Sequence, residues 1–206
     1  DLGEFYKAEL SFRKAIELQP NYSDAYSNLG DLLNNLGKSK EAEVSTRKAI
    51  ALQPDLAVAH LNLGNILRNI GDLEEAALST QKAIEISPYF AMAHNNLGGI
   101  LKDLGKLKDA EISTLKAIKL KDNYAEAFSN LGIIQKNLGQ LKEAEISFRK
   151  AIEFNPYLAD AHNNLSHLLL TMKIFKEGWE RYEWRWKLDN PIEKYKLKTN
   201  KQRWAE

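Results

Sequence analysis

The chain has 206 residues, 44% of them hydrophobic and 28% charged, with 29 Lys and Arg against 28 Asp and Glu and no cysteine. This composition suits a folded, helix-rich protein and excludes disulfides and thiolate metal sites. The near-balance of charge gives no long-range attraction for nucleic acid or an anionic membrane, and no apolar run approaches the roughly 18 residues of a membrane span.

Absence of cysteine fits a reducing compartment, so a cytoplasmic location is expected. The chain starts at Asp1, without methionine and part-way through a unit, and reads as a fragment of a longer protein. Residues 1–19 form the second half of that unit. Leu2-Gly3 corresponds to the later Leu36-Gly37, Ile70-Gly71, Leu104-Gly105 and Leu138-Gly139, where a helix ends in a sharp turn. Ala8, Phe12, Ala15, Ile16 and Leu18 then fall at helical spacing on one face, and Pro20 closes the helix.

Next comes Ala25-Tyr26-Ser27-Asn28-Leu29-Gly30, which returns every 34 residues. Its copies are Ala59-His60-Leu61-Asn62-Leu63-Gly64, Ala93-His94-Asn95-Asn96-Leu97-Gly98, Ala127-Phe128-Ser129-Asn130-Leu131-Gly132 and Ala161-His162-Asn163-Asn164-Leu165-Ser166. A fixed period in this range marks a stacked repeat array. The spacing predicts first helices near 23–36, 57–70, 91–104, 125–138 and 159–172. Second helices are predicted near 39–52, 73–86, 107–120 and 141–154, with one more near 174–188. Pro20, Pro54, Pro88 and Pro156 close units, and Asp122 stands in that place once.

Leu63-Gly64, Ala76, Ala83 and Pro88, matched in the neighbouring units, resemble the tetratricopeptide repeat (TPR) family over about residues 1–188. The resemblance implies an all-α, right-handed superhelix with first helices lining a concave groove. His60, His94 and His162 depart from the family pattern, as do Thr46, Thr80 and Thr114, where an aromatic residue is usual.

On each first helix, a face separate from the packing leucines carries Asp24, Asn28, Asp31 and Asn35, then Val58, Asn62, Asn65 and Asn69. It continues as Met92, Asn96, Gly99 and Asp103, as Glu126, Asn130, Ile133 and Asn137, and as Asp160, Asn164, His167 and Thr171. Asparagine inside a helix costs roughly 0.5–0.7 kcal/mol relative to alanine, so its return in every unit calls for an offsetting interaction. Its carboxamide can meet both halves of a peptide unit. The repeats are similar to those of O-linked N-acetylglucosamine transferases, and this resemblance implies an asparagine ladder that holds the main chain of a protein ligand. The alternative is that the asparagine bonds a neighbouring helix. The candidate peptide-binding set is Asn28, Asn62, Asn96, Asn130, Asn164, Asn35, Asn69, Asp103, Glu126 and Asn137.

No groove position is Lys or Arg, although Arg68, Lys102 and Lys136 stand beside it, so RNA is not the expected ligand. A neutral or basic extended peptide is. His60 and His94 lie a whole repeat apart and His162 and His167 five residues apart, spacings that suit packing rather than a shared metal. With no phosphate loop, nucleophile elbow or paired carboxylates, neither catalysis nor a cofactor is expected of this chain.

From Lys173 the pattern changes. Lys173 replaces the turn glycine and Gly178 the helix alanine, and the spacing puts Trp179, Tyr182 and Trp186 on one packing face, as a terminal cap. Gly178-Trp179, Tyr182-Glu183-Trp184-Arg185 and Arg203-Trp204 are similar to a segment of bacterial TPR–glycosyltransferase proteins, and residues 189–206 read as a basic linker or docking segment. Three functions follow: capture of an extended polypeptide, substrate presentation within a larger glycosyltransferase, or homo-oligomeric assembly through exposed ends carrying Phe5 and Phe12.

Overall fold

The computed structural model describes residues 2–184, and among them the secondary structure is helical throughout. The helices are α1 (Leu2–Leu18), α2 (Ser23–Asn35), α3 (Ser39–Leu52), α4 (Ala57–Ile70), α5 (Leu73–Ile86), α6 (Ala91–Asp103), α7 (Leu107–Leu120), α8 (Ala125–Asn137), α9 (Leu141–Phe154), α10 (Ala159–Thr171) and α11 (Phe175–Tyr182). Even-numbered helices are the first helices of the units. From α2 to α10 the predicted boundaries agree within a residue or two, because Gly and Pro punctuate the period, whereas α11 ends at Tyr182.

Gly71, at φ 98°, shows how a first helix stops. Its N–H bonds back to Leu67 and Arg68, and the next N–H, of Asp72, reaches the Leu67 carbonyl at 2.9 Å. The left-handed turn thus satisfies carbonyls that the helix end would leave bare. Lys173 takes the same conformation, φ 63°, at the one later turn that lacks glycine. Gly3, expected in a turn, lies inside α1.

Within a unit the two helices cross where side chains are smallest. A Cβ added at Gly30, Gly64 or Gly98 would collide with Thr46, Thr80 or Thr114 of the following helix, and one at Gly132 would sit 2.7 Å from the Phe148 ring. The threonines therefore fill, fully buried, the place that Phe148 fills in the fourth complete unit. Thr80 and Thr114 donate to the carbonyls of Ala76 and Ala110, while the Thr46 hydroxyl is buried with no partner.

The core runs on from unit to unit. One cluster joins Leu63 and Leu67 to Leu97, Ile100 and Leu101 and on to Ile134, crossing three first helices. Successive first helices α2, α4, α6, α8 and α10 touch one another, and successive second helices make no comparable contact. The first helices consequently form the inner, concave side of the solenoid.

The final helix departs from the sequence reading. Trp179 is 57% exposed rather than packed. Counting back 34 residues explains this: Trp179 holds the register of Glu145, and only Tyr182 holds that of buried Phe148. Trp184 lies flat on His162, with ring centroids 3.7 Å apart. Trp186, the expected helix end at 188, the basic segment 189–206 and Arg203-Trp204 lie outside the described residues.

Candidate functional site

The first helices present the predicted face to the concave side. Asp24, Asn28, Asp31, Asn35, Asn69, Asp103, Glu126, Asn137 and Asp160 are exposed, and Asn62, Asn96, Asn130 and Asn164 are half-buried. Of the whole set only Gly99 is closed to solvent.

Their donor halves are spent between helices. Asn62 donates through Nδ2 to the Ser27 carbonyl at 3.4 Å and to the Ser27 hydroxyl at 3.2 Å. Asn96 donates to Asn65 Oδ1 at 2.7 Å, Asn130 to Asn95 Oδ1 at 2.9 Å, and Asn69 to Asn34 Oδ1 at 3.1 Å. A backbone carbonyl only accepts, so the bond to Ser27 fixes which way the Asn62 amide points. These bonds supply the offset that asparagine needs inside a helix, and they leave Oδ1 of Asn62, Asn96 and Asn130 accepting nothing from the described residues. Asn28 and Asn164 make no side-chain hydrogen bond with the described residues.

Charge on this face is partly cancelled. Arg68 reaches across Gly99 to Asp103, with Nε 2.7 Å from Oδ2, and Lys102 Nζ is 3.1 Å from Oδ1. Gly99 makes this reach possible, because a Cβ there would sit 2.9 Å from the guanidinium. Asp103 therefore brings little net charge to a ligand, and Asp24, Asp31, Glu126 and Asp160 remain as the acidic positions. Desolvation within the concave face pushes the Asp31 carboxyl above its ordinary value, although the side chain is open to solvent. Desolvation and Glu126 push up the Tyr124 hydroxyl, against a hydrogen bond with Asn95.

The histidines act as fasteners. Nε2 of His60, His94 and His162 bonds the carbonyls of Pro54, Pro88 and Pro156 at 2.9–3.0 Å, tying each first helix to the turn before it. Where Asp122 replaces proline, Phe128 replaces histidine and packs on Phe154 at 5.4 Å. Among the described residues no group of three His, Cys, Asp or Glu could hold a metal ion, and no helix is long and apolar enough to cross a membrane.

Reading the sequence alone misses the receiving groups Ser27, Asn34, Asn65 and Asn95. Their signal is a second count, since three of these bonds span 35 residues. It also misses a row of exposed aliphatic side chains on the second helices: Leu10, Val44, Leu78, Ile112 and Ile146, one per unit.

Four family profiles, each described as a tetratricopeptide repeat, match residues 11–44, 57–90, 91–124 and 125–158, together well over half of the chain. Among solved structures, the chain is similar to pilF of Pseudomonas aeruginosa, with 24% identity over 79% of this chain and 74% of that one and a TM-score of 0.72. It is similar to YrrB, described as a TPR protein with an unusual peptide-binding site, with 25% identity over 90% of this chain and 98% of that one and a TM-score of 0.61. A thermophilic TPR protein of Thermus thermophilus shares 26% identity over 82% of this chain and 92% of that one, with a TM-score of 0.72. No curated protein gives a significant match.

Proposed function

Because the chain belongs to the tetratricopeptide repeat family, whose architecture serves protein–protein interaction, we propose that its concave face binds an extended segment of another protein. One observation carries the reading: an asparagine returns once per unit along the groove, half-buried in all but the first, with its acceptor oxygen uncommitted among the described residues. Neighbouring helices lie about 8–10 Å apart and an extended chain rises about 3.3 Å per residue, so each rung meets roughly every third residue. Main-chain N–H groups at that interval match acceptors at that interval. The resemblance to a TPR protein with a peptide-binding site adds support at the level of ligand class. Exposed Asp24, Asp31, Glu126 and Asp160 favour a neutral to basic segment.

The test separates ligand contacts from structural ones. Asn28 and Asn164 make no bond to neighbouring helices, so the Asn28→Ala, Asn164→Ala variant should keep wild-type helicity and unfold at the same or a higher midpoint, alanine being the better helix former. Binding to an array of extended peptides should nonetheless weaken about 5- to 150-fold, at about 0.5–1.5 kcal/mol per lost bond. The Asn62→Ala, Asn96→Ala, Asn130→Ala variant should lose both binding and stability, because it also cuts the bonds between first helices. Unchanged peptide binding in the first variant sinks the reading.

A further inference from the structure

The outer surface repeats a second pattern, an arginine on one second helix and a carboxylate on the next, 28 residues later. Arg13 reaches Glu41 at 3.4 Å, Arg47 reaches Glu75 at 2.8 Å, and Arg149 grips Glu177 with two bonds of 2.8 and 2.9 Å. The carboxylate is present at all five junctions, as Glu41, Glu75, Asp109, Glu143 and Glu177. The arginine is not. At the two central junctions its places are taken by Gln81 and Leu115, and among the described residues no cation lies within ion-pair distance of Asp109 or Glu143. The Glu that braces Arg13, Arg47 and Arg149 from one turn before is also replaced ahead of Gln81, by Ala77.

The same two junctions also carry exposed apolar side chains, with Leu115 added there to the aliphatic row that runs through every unit. Leu78, Ile112, Leu115 and Ile146 are 65, 67, 47 and 58% exposed on α5, α7 and α9. Between α5 and α7 a cleft of ≈ 520 Å³ opens, floored by Leu97 and Leu101 of α6, with Gln81 and Ile84 on one wall and Asp109, Ile112 and Lys116 on the other. An exposed aliphatic patch beside two carboxylates that lack an ion-pair partner suits an interface.

We propose that these two junctions dock a segment of a partner protein that carries two arginines beside apolar residues, the arginines taking the places left by Gln81 and Leu115. The molecule itself supplies the geometry, since Arg47–Glu75 and Arg149–Glu177 seat a guanidinium in that register. Packed helices lie about 8–10 Å apart, so successive junctions on the outer row are at least about 10 Å apart. On a partner helix about 10.5 Å corresponds to seven residues, which places two arginines on one side and keeps an apolar seam next to them. This surface faces away from the concave groove and does not depend on it.

The probe is a synthetic amphipathic peptide with two arginines seven residues apart along a leucine seam, compared with its glutamine counterpart. Fluorescence anisotropy should show saturable binding of the arginine peptide and at least tenfold weaker binding of the glutamine peptide. The Gln81→Arg, Leu115→Arg variant fills both carboxylates from within, keeps the fold intact by copying its other junctions, and should abolish binding. Asp109→Asn with Glu143→Gln should weaken it at least tenfold, and Asn28→Ala with Asn164→Ala should leave it unchanged. No saturable binding, equal binding of both peptides, persistence in the arginine-restored variant, or loss in the groove variant would each overturn the proposal.

Discussion

Lys173 shows how much one backbone position can hold. A side chain in the left-handed region costs roughly 1–2 kcal/mol, and the four earlier turns avoid that cost with glycine. Lys173→Gly should therefore raise unfolding free energy by about 1 kcal/mol, less the added flexibility of the unfolded chain. Urea unfolding measures this directly, and a lower midpoint would mean that the Lys173 side chain contributes contacts outweighing its strain. The other departures from the family pattern need no such correction. His60, His94 and His162 recover their polarity cost through the proline carbonyls, and Thr80 and Thr114 recover theirs through Ala76 and Ala110. Among the described residues Thr46 alone keeps an unpaired buried hydroxyl.

Between elements, the Arg149–Glu177 clamp joins α9 to α11 and sets a pH dependence. The hydrogen bonds from Arg149, with help from Arg181 and against desolvation, hold the Glu177 carboxyl down at about 2. A carboxyl depressed in the folded state stabilises it above the ordinary carboxylate pKa of about 4.3, and that contribution fades as pH falls from there through about 2. Glu177→Gln should thus lower stability by a constant amount near neutral pH, and the gap to wild type should close between about pH 4.5 and 2. Urea midpoints across that range test it, and a gap independent of pH would show that the clamp acts through packing alone. The helices themselves were legible in the sequence because glycine and proline mark all but two boundaries of the period, those at Asp122 and Lys173. Solvent exposure of the groove positions was legible for the same reason. What stayed hidden depends on two helices at once. Whether the Asn62 amide nitrogen is free rests on Ser27, 35 residues away, and Trp179 turned outward because its place is set by the repeat register, not by its spacing to Tyr182.

Across the whole molecule, the order of opening should follow the buried core rather than the surface bridges. Solenoid stability is close to a sum of unit and nearest-neighbour terms, so the weakest junction opens first. The two central junctions lack an arginine bridge, yet the α5–α7 one lies over the cluster joining Leu63, Leu67, Leu97, Ile100, Leu101 and Ile134, and the α7–α9 one beside the cluster of Ala144 and Phe148. An exposed ion pair contributes about 0–1 kcal/mol, whereas each leucine or isoleucine fully buried contributes about 1.5–3. The core term wins by several-fold, and the centre can give up its arginines without becoming the weak point. Amide hydrogen exchange should accordingly be slowest in α4–α8 and fastest in α1 and α11, with opening from both ends inward. Restoring the bridges with Gln81→Arg and Leu115→Arg should add at most about 1 kcal/mol and leave that order unchanged. Faster exchange in α5–α7 than in α1 would show that the bridges govern the junctions, and that a partner's arginines would then stiffen the centre of the solenoid as they dock.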